Sequence, residues 1–151
     1  MKRAEAYDRL DRVCEEFRAA RFSLAETRRS VHARPEMLLG RSQAKVTIGT
    51  LQRCDANLDV TYLIRLFAEF EAALLDYWRK GLRRATRPSA NTLIDRIAAA
   101  RRTNTAARRG ADKVRDYRND VVHDQTQARP LSFEDCLSGL NCFLSWLPPK
   151  W

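Results

Sequence analysis

Apolar residues recur every three or four positions along most of the chain, which is the spacing of one buried helix face. No stretch alternates apolar and polar residues for long enough to require a β-strand. The first helical pattern covers residues 4–31 and stops before Pro35. Its apolar positions are Tyr7, Leu10, Val13 or Cys14, Phe17 and Leu24. We therefore predict a long helix at the start of the chain.

The strongest helical pattern lies in residues 59–84, where the apolar face is broad. That face comprises Tyr62, Leu63, Leu66, Phe67, Phe70, Leu74, Tyr77 and Trp78. Asp59 is the predicted N-cap residue, and Gly81 lies near the predicted C-terminal end. Residues 35–57 are harder to interpret because glycines interrupt them, and we predict a loop that carries one helical piece.

Three shorter helical patterns follow. The first covers residues 91–102, and the second begins within 105–112 and ends at 122–123. The third follows Ser132, whose spacing to an aspartate resembles a capping box, and Pro148 is expected to end it. The predicted fold class is therefore all-α, an antiparallel bundle of four to five helices in one domain that spans all 151 residues.

The charge balance is strongly positive. The chain has 28 Lys and Arg residues against 19 Asp and Glu residues, a net charge of +9. Arginine dominates, since the lysines are only Lys2, Lys45, Lys80, Lys113 and Lys150. An arginine fork can hold a phosphate with two hydrogen bonds, so this surface favours polyanions such as nucleic acid or an acidic protein. A bias toward GC-rich codons would also raise the arginine count, so charge alone does not identify the partner.

The cysteines and the apolar stretches bear on location. Cys14, Cys54, Cys136 and Cys142 form no C-x-x-C pair, and the two histidines lie far apart in the sequence. We therefore expect no metal site, and we expect buried thiols in a reducing cytoplasm because no signal peptide is recognisable. The longest apolar stretches are too short to span a membrane, so we expect no membrane partner.

One segment, residues 115–123, carries the candidate chemistry. On a helix, Arg115, Asn119 and His123 are spaced i, i+4 and i+8 and share one face, with Arg118 on its flank. Cleaving RNA without a metal requires a group that moves protons near neutral pH and a cation that stabilises the phosphorane. Histidine and arginine have these properties, and Asn119 can orient the phosphate or the sugar.

This segment resembles the Arg-x4-His motif of the HEPN superfamily, in which a polar residue, often Asn, follows the arginine. The matching residues are Arg118, Asn119 and His123. The superfamily is similar in architecture too, with the motif on a late helix of a bundle of about this length. The resemblance implies a metal-independent endoribonuclease without a cofactor, of the type found in toxin–antitoxin, phage-defence and CRISPR-associated systems. It implies that Arg118 and His123 are catalytic and that Asn119 assists.

The expected partners follow from the same reasoning. RNA is the expected substrate, and Arg115 and Asp120 are the candidate substrate-binding residues, with a solvated salt-bridged face as the alternative. One motif supplies one histidine, so a homodimer with a composite active site would supply a pair, as the resemblance also implies. An antitoxin protein, of nucleotidyltransferase type or another, is a possible partner. Some HEPN toxins carry a modified tyrosine two residues after the histidine, where this chain has Gln125.

Several alternatives remain open at the level of sequence. Asn119 and His123 could cap a helix C-terminus, because a cationic histidine is favoured near the last carbonyls. The chain could be a non-catalytic HEPN-like module that binds RNA or a protein, and a DNA-binding helix-turn-helix protein is a weaker alternative. His32 could supply a second imidazole, but a surface position is favoured.

Four further residues have a structural and a functional interpretation. Glu69 or Glu71 could orient the motif arginine, whereas a solvated or salt-bridged glutamate is favoured. Trp146 and Trp151 could stack on bases. We favour core packing for Trp146 and a frayed tail for Trp151.

Overall fold

Five α-helices make up most of the computed structural model, which describes residues 2–34, 47–123 and 131–151. They are α1 (Arg3–Ala33), α2 (Ile48–Asp76), α3 (Ala90–Arg101), α4 (Thr105–Val122) and α5 (Phe133–Leu144). The described ranges contain no β-strand, only an isolated bridge between Lys2 and Lys150. The prediction of an all-α bundle is therefore confirmed.

Helices α1 and α2 pack antiparallel along their length. Their surfaces are joined by ion pairs whose residue numbers rise in α1 as they fall in α2: Arg9–Glu69 at 3.6 Å, Glu16–Arg65 at 2.6 Å and Arg21–Asp59 at 3.4 Å. These side chains are well exposed, and an exposed ion pair contributes about 1 kcal/mol or less. The pairs therefore fix the register of the two helices more than they stabilise them.

An aromatic cluster joins these helices to α5. Phe17 of α1 stacks on Phe133 with ring centroids 4.2 Å apart, and Phe70 of α2 meets Phe143 edge-on at 5.7 Å. All four rings are buried and belong to one core cluster that also contains residues of α3 and α4. Burying one such side chain stabilises the fold by roughly 1.5–3 kcal/mol, so these rings provide much of the packing energy.

The fully buried residues of helix α4 are all small. Its buried residues are Ala107, Ala111 and Val114, spaced i, i+4 and i+7. Such short side chains make contact only if the helix backbone comes close to its neighbour. Gly110 of α4 and Gly139 of α5 allow this approach, because a Cβ placed on Gly139 would lie 3.3 Å from the carbonyl oxygen of Gly110.

Helix α2 begins earlier than the sequence pattern indicated. Its first residue is Ile48, and the hydroxyl of Thr47 caps it by accepting a hydrogen bond from the Thr50 N–H at 3.1 Å. The predicted N-cap, Asp59, lies inside the helix and was wrong. For residues 35–57 the prediction was a loop with one helical piece; residues 48–57 are helical throughout and continuous with α2, and residues 35–46 lie outside the described residues.

The same helix also ends earlier than predicted. After Asp76 the chain forms a π-helical turn, Tyr77–Gly81, and residues 83–89 are irregular rather than helical. The ring of Tyr77 occupies the space beside Gly81, since a Cβ there would lie 2.3 Å from the ring. Gly81 is therefore the position that accommodates this ring in the wider turn.

The remaining helix boundaries agree closely with the predictions. Helix α3 lies within one residue of the predicted range, and α4 begins at Thr105 and ends at Val122. Ser132 caps α5 by accepting a hydrogen bond from the Asp135 N–H at 3.0 Å, as predicted. Helix α5 ends at Leu144, before the proline that was expected to stop it.

The C-terminal tryptophan is packed, so the prediction of a frayed tail was wrong. The indole N–H of Trp151 donates to the Asp76 carboxylate at 2.9 Å, and its ring meets Tyr77 edge-on at 5.4 Å. The guanidinium of Arg3 donates to the carbonyl oxygens of Ser145 and Leu147 at 2.7 and 2.8 Å. The last residues therefore bridge the start of α1 and the end of α2.

Two further expectations concern thiols and membranes. Cys14 and Cys136 are buried, and burial raises the pKa of the Cys136 thiol to about 12. Cys54 and Cys142 are exposed, so the prediction that all four thiols are buried was wrong for these two. Among the described residues, no helix is both long and apolar enough to cross a membrane.

The close approach of α4 and α5 should not tolerate a larger side chain. We expect Gly139→Val to lower the free energy of unfolding by about 1–3 kcal/mol, because its methyl groups would meet the α4 backbone. Urea denaturation measures the loss. The control is Gly49→Val, where a Cβ meets only side-chain atoms at 3.7 Å or more. Equal stability of the two variants would contradict the packing described for α4.

The environment of Asp76 should make stability depend on acid pH. Burial alone would raise the pKa of this carboxyl, but donors and positive charge around it, the Lys80 ammonium and the Trp151 indole among them, outweigh burial and hold the pKa at about 2. A lowered pKa stabilises the fold above the ordinary value of 3.8, and this stabilisation is lost as the pH falls toward 2. Asp76→Asn should remove up to about 2 kcal/mol at neutral pH and little near pH 2. The control Asp8→Asn changes an exposed aspartate, and a parallel pH profile for both variants would refute this assignment.

Candidate active site

The predicted motif lies in the last two turns of α4, at the surface of the bundle. Arg118 and Asn119 are half-buried, and His123 is exposed. The backbone N–H of His123 donates to the Asn119 carbonyl oxygen at 2.9 Å, which closes the last turn of the helix. The three residues therefore lie at the C-terminal end of one helix.

Arg118 is held by two neighbours. Its Nη1 donates to the side-chain oxygen of Asn119 at 2.9 Å, and its guanidinium carbon lies 5.6 Å from the centre of the Phe67 ring on α2. Its Nε is buried and has no hydrogen-bond partner among the described residues. A buried donor without a partner costs about 1–3 kcal/mol, so this position retains a hydrogen-bonding capacity that the fold does not use.

Arg118 also differs from its neighbours in charge. Among the residues that the structure describes, no carboxylate forms an ion pair with its guanidinium. Within the described residues, Arg118 thus carries a positive charge without an ion-pair partner, and the Phe67 ring and Asn119 contact its guanidinium. Such a charge can attract an anion, and a planar guanidinium suits a phosphate.

The guanidinium of Arg115 is hydrogen-bonded to neighbouring side chains. Its Nη1 donates to Asp112 at 2.8 Å, its Nη2 donates to Asp116 at 2.7 Å, and Nη1 also contacts Asn91 of α3. Only 16% of the side chain is exposed. The structure thus places Arg115 in the contact between α3 and α4, with its charge compensated. This arrangement matches the salt-bridged alternative considered for Arg115 more closely than substrate binding.

The other residues of the segment are less engaged. Asp120 is half-buried and makes no ion pair or hydrogen bond to a described residue. Tyr117 packs on the core, and Val121 is half-buried. The imidazole of His123 makes no hydrogen bond to a described residue, so its side chain does not cap the helix carbonyls. Gln125 lies outside the described residues.

The structure does not bring the other candidate residues to this motif. His32 is exposed in the last turn of α1 and lines a cavity of about 320 Å³ with Arg28 and Arg29, which no motif residue lines. Glu69 pairs with Arg9 of α1, and Glu71 makes no hydrogen bond to Arg118. Trp146 is half-buried, and its carbonyl oxygen accepts a hydrogen bond from Arg101 at 3.0 Å.

Phe67 is the site residue that the sequence did not identify. The apolar pattern of α2 assigned it to the core, and it is indeed buried. Its ring also supports the Arg118 guanidinium, which belongs to a helix far along the chain. No local pattern reports a contact between residues so distant in sequence.

Comparisons with protein-family models, with curated proteins and with solved structures found no match to this chain. The resemblance to the HEPN superfamily therefore rests on the helix order and on the motif residues. Within the described ranges, no group of three or more His, Cys, Asp and Glu side chains is arranged to hold a metal ion.

Proposed function

We propose that this protein is a metal-independent endoribonuclease of the HEPN type that acts in the cytoplasm as a toxin or phage-defence effector. The observation that carries the proposal is the contrast between two neighbouring arginines. Arg115 is paired with carboxylates, whereas Arg118 has no carboxylate partner among the described residues and lies five residues before an exposed histidine at the same helix end. A cation and a proton-transfer group with solvent access are what RNA cleavage requires.

The reaction is an internal phosphoryl transfer. The 2′-hydroxyl loses its proton to a base and attacks the adjacent phosphorus, and the P–O5′ bond breaks as an acid protonates the departing 5′-oxygen. The products are a 2′,3′-cyclic phosphate and a free 5′-hydroxyl. In this proposal His123 transfers a proton, Arg118 stabilises the charge on the phosphorane, and Asn119 holds the arginine and the phosphate in place.

A second copy of the chain would supply the second proton-transfer group. Each chain carries one motif histidine, and His32 lines a cavity separate from the motif. The exposed apolar side chain of Val122, 46% accessible, stands directly beside His123 and suits a contact between copies. We therefore extend the proposal to a homodimer in which two α4 ends face one RNA cleft. An antitoxin protein would inhibit such an enzyme by covering this cleft.

The cleavage assay tests the proposal directly. In the presence of EDTA, the wild-type protein should cut single-stranded RNA and leave 2′,3′-cyclic phosphate ends. Arg118→Ala and His123→Ala should each lower the rate by about a hundredfold or more, because each removes a group that acts in the transition state. Arg118→Lys should cleave little faster than Arg118→Ala, since lysine lacks the planar fork of arginine.

The matched control is Arg109→Ala on the same helix. Arg109 is exposed and lies about 180° around α4 from Arg118, so it should not affect the rate. Thermal unfolding establishes that each variant remains folded. The proposal fails if the wild type does not cleave RNA, or if both motif variants cleave at the wild-type rate. Binding without products would instead favour the non-catalytic module.

If the active site is composite, the cleavage rate should not fall in proportion to the fraction of wild-type chains in a mixture with an inactive variant. Wild-type and His123→Ala chains are mixed in equal amounts and allowed to exchange, and the cleavage rate is measured against total chain concentration. If both histidines act in one cleft, only wild-type pairs are active, and activity falls to about one quarter. Independent chains would retain about one half, and this outcome would contradict the composite site. Sedimentation equilibrium reports the dimer in the same samples.

A further inference from the structure

A second basic feature lies away from the motif, between α3 and the irregular segment that precedes it. Residues 82–88 run back along the outer face of α3, and a cleft with a volume of about 780 Å³ separates the two. Three arginines line it, namely Arg83, Arg84 and Arg96, and no acidic residue does. None of the motif residues lines this cleft.

The arginines of the cleft have no compensating charge within the described residues. None of them forms an ion pair there, whereas Arg9, Arg65, Arg108 and Arg115 elsewhere on the bundle each pair with a carboxylate. Like charges that converge on one concave surface repel each other, so this arrangement costs stability unless an anion binds. The cleft therefore has the electrostatic character of a polyanion site.

The backbone that presents these arginines is held in an unusual conformation. Arg83 has a φ of 53°, which L-residues other than glycine, asparagine and aspartate rarely adopt. The N–H of Leu82 donates to the Tyr77 carbonyl oxygen at 3.0 Å, and the N–H of Arg84 donates to that of Trp78 at 3.1 Å. Surrounding hydrogen bonds thus maintain a strained residue at the rim of the cleft, which is typical of binding segments.

The cleft also has an aromatic wall. Trp78 lines it, and the indole N–H is already satisfied by the Thr86 hydroxyl at 3.2 Å. The residue is half-buried, and its side chain packs against the core as well as lining the cleft. A basic groove with an aromatic side chain is the combination that binds single-stranded nucleic acid, because phosphates meet arginines and bases stack on the ring.

One end of the cleft is linked to the motif through the contact between α3 and α4. Thr92 lines the cleft, and the adjacent Asn91 accepts a hydrogen bond from Arg115. Arg115 shares a helix face with Asn119 and His123, and eight residues of helix span about 12 Å. Asn91, next to the cleft residue Thr92, thus contacts the helix that carries the motif.

We propose that this cleft binds the backbone of single-stranded RNA outside the cleavage site and that Trp78 stacks on one of its bases. The proposal rests on the proposed function for the identity of the polyanion. The cleft positions the strand, and the motif cuts it farther along. The two sites use different residues, so they can be separated experimentally.

Binding is measured with the His123→Ala protein, which leaves the RNA intact. The probe is a fluorescein-labelled single-stranded RNA of about 15 nucleotides, followed by anisotropy over a range of salt concentrations. Adding Arg83→Gln, Arg84→Gln and Arg96→Gln should weaken binding by about tenfold or more. It should also reduce the slope of the logarithm of the binding constant against the logarithm of the salt concentration by about 2. The control carries Arg12→Gln, Arg18→Gln and Arg109→Gln, which remove the same charge from exposed positions outside the cleft.

The outcomes are distinct. A loss confined to the cleft variant, with unchanged thermal unfolding and weaker binding for Trp78→Ala, supports the proposal. Equal losses in both triple variants would overturn it, since net charge alone would then explain binding. Displacement of the RNA by millimolar inorganic phosphate would also overturn it, because the cleft would then be a small-anion site. The anisotropy assay does not depend on cleavage, so it tests the cleft even if the protein has no ribonuclease activity.

Discussion

The close approach of α4 to α5 is the constraint on which the placement of the candidate site depends. The fully buried side chains of helix α4 are only alanines and a valine, so its contact with α5 depends on a close approach of the two backbones. Gly110 and Gly139 make this possible, because neither carries a Cβ that would hold the helices apart. A helix packed in this way cannot roll or slide by much without losing contact along its length.

This fixed position gives the arginines of α4 different roles. Arg115 faces α3 and forms ion pairs with carboxylates, so it stabilises the contact between the helices. One turn later Arg118 faces α2, where Phe67 and Asn119 hold it but no described carboxylate pairs with it. The orientation of one rigid helix thus separates a structural arginine from a chemically available one. The basic composition of the chain does not make this distinction.

The same division extends over the surface. The arginines at the contact between α1 and α2 are paired, and their charge helps to fix the register. The arginines that line the cleft beside α3, and Arg118 at the motif, form no ion pair with a described residue. Because like charges on one concave surface repel each other, the cleft indicates a polyanionic ligand more specifically than the net charge does.

The sequence by itself determined the all-α class, the limits of α1 and α3–α5 to within a few residues, and the presence of the motif on a late helix. These features follow from local periodicity and capping, which neighbouring residues encode. The packing of Trp151 and the support of Arg118 by Phe67 become visible only in the tertiary structure. Each depends on contacts between segments distant in sequence, and no local pattern records which segments will meet.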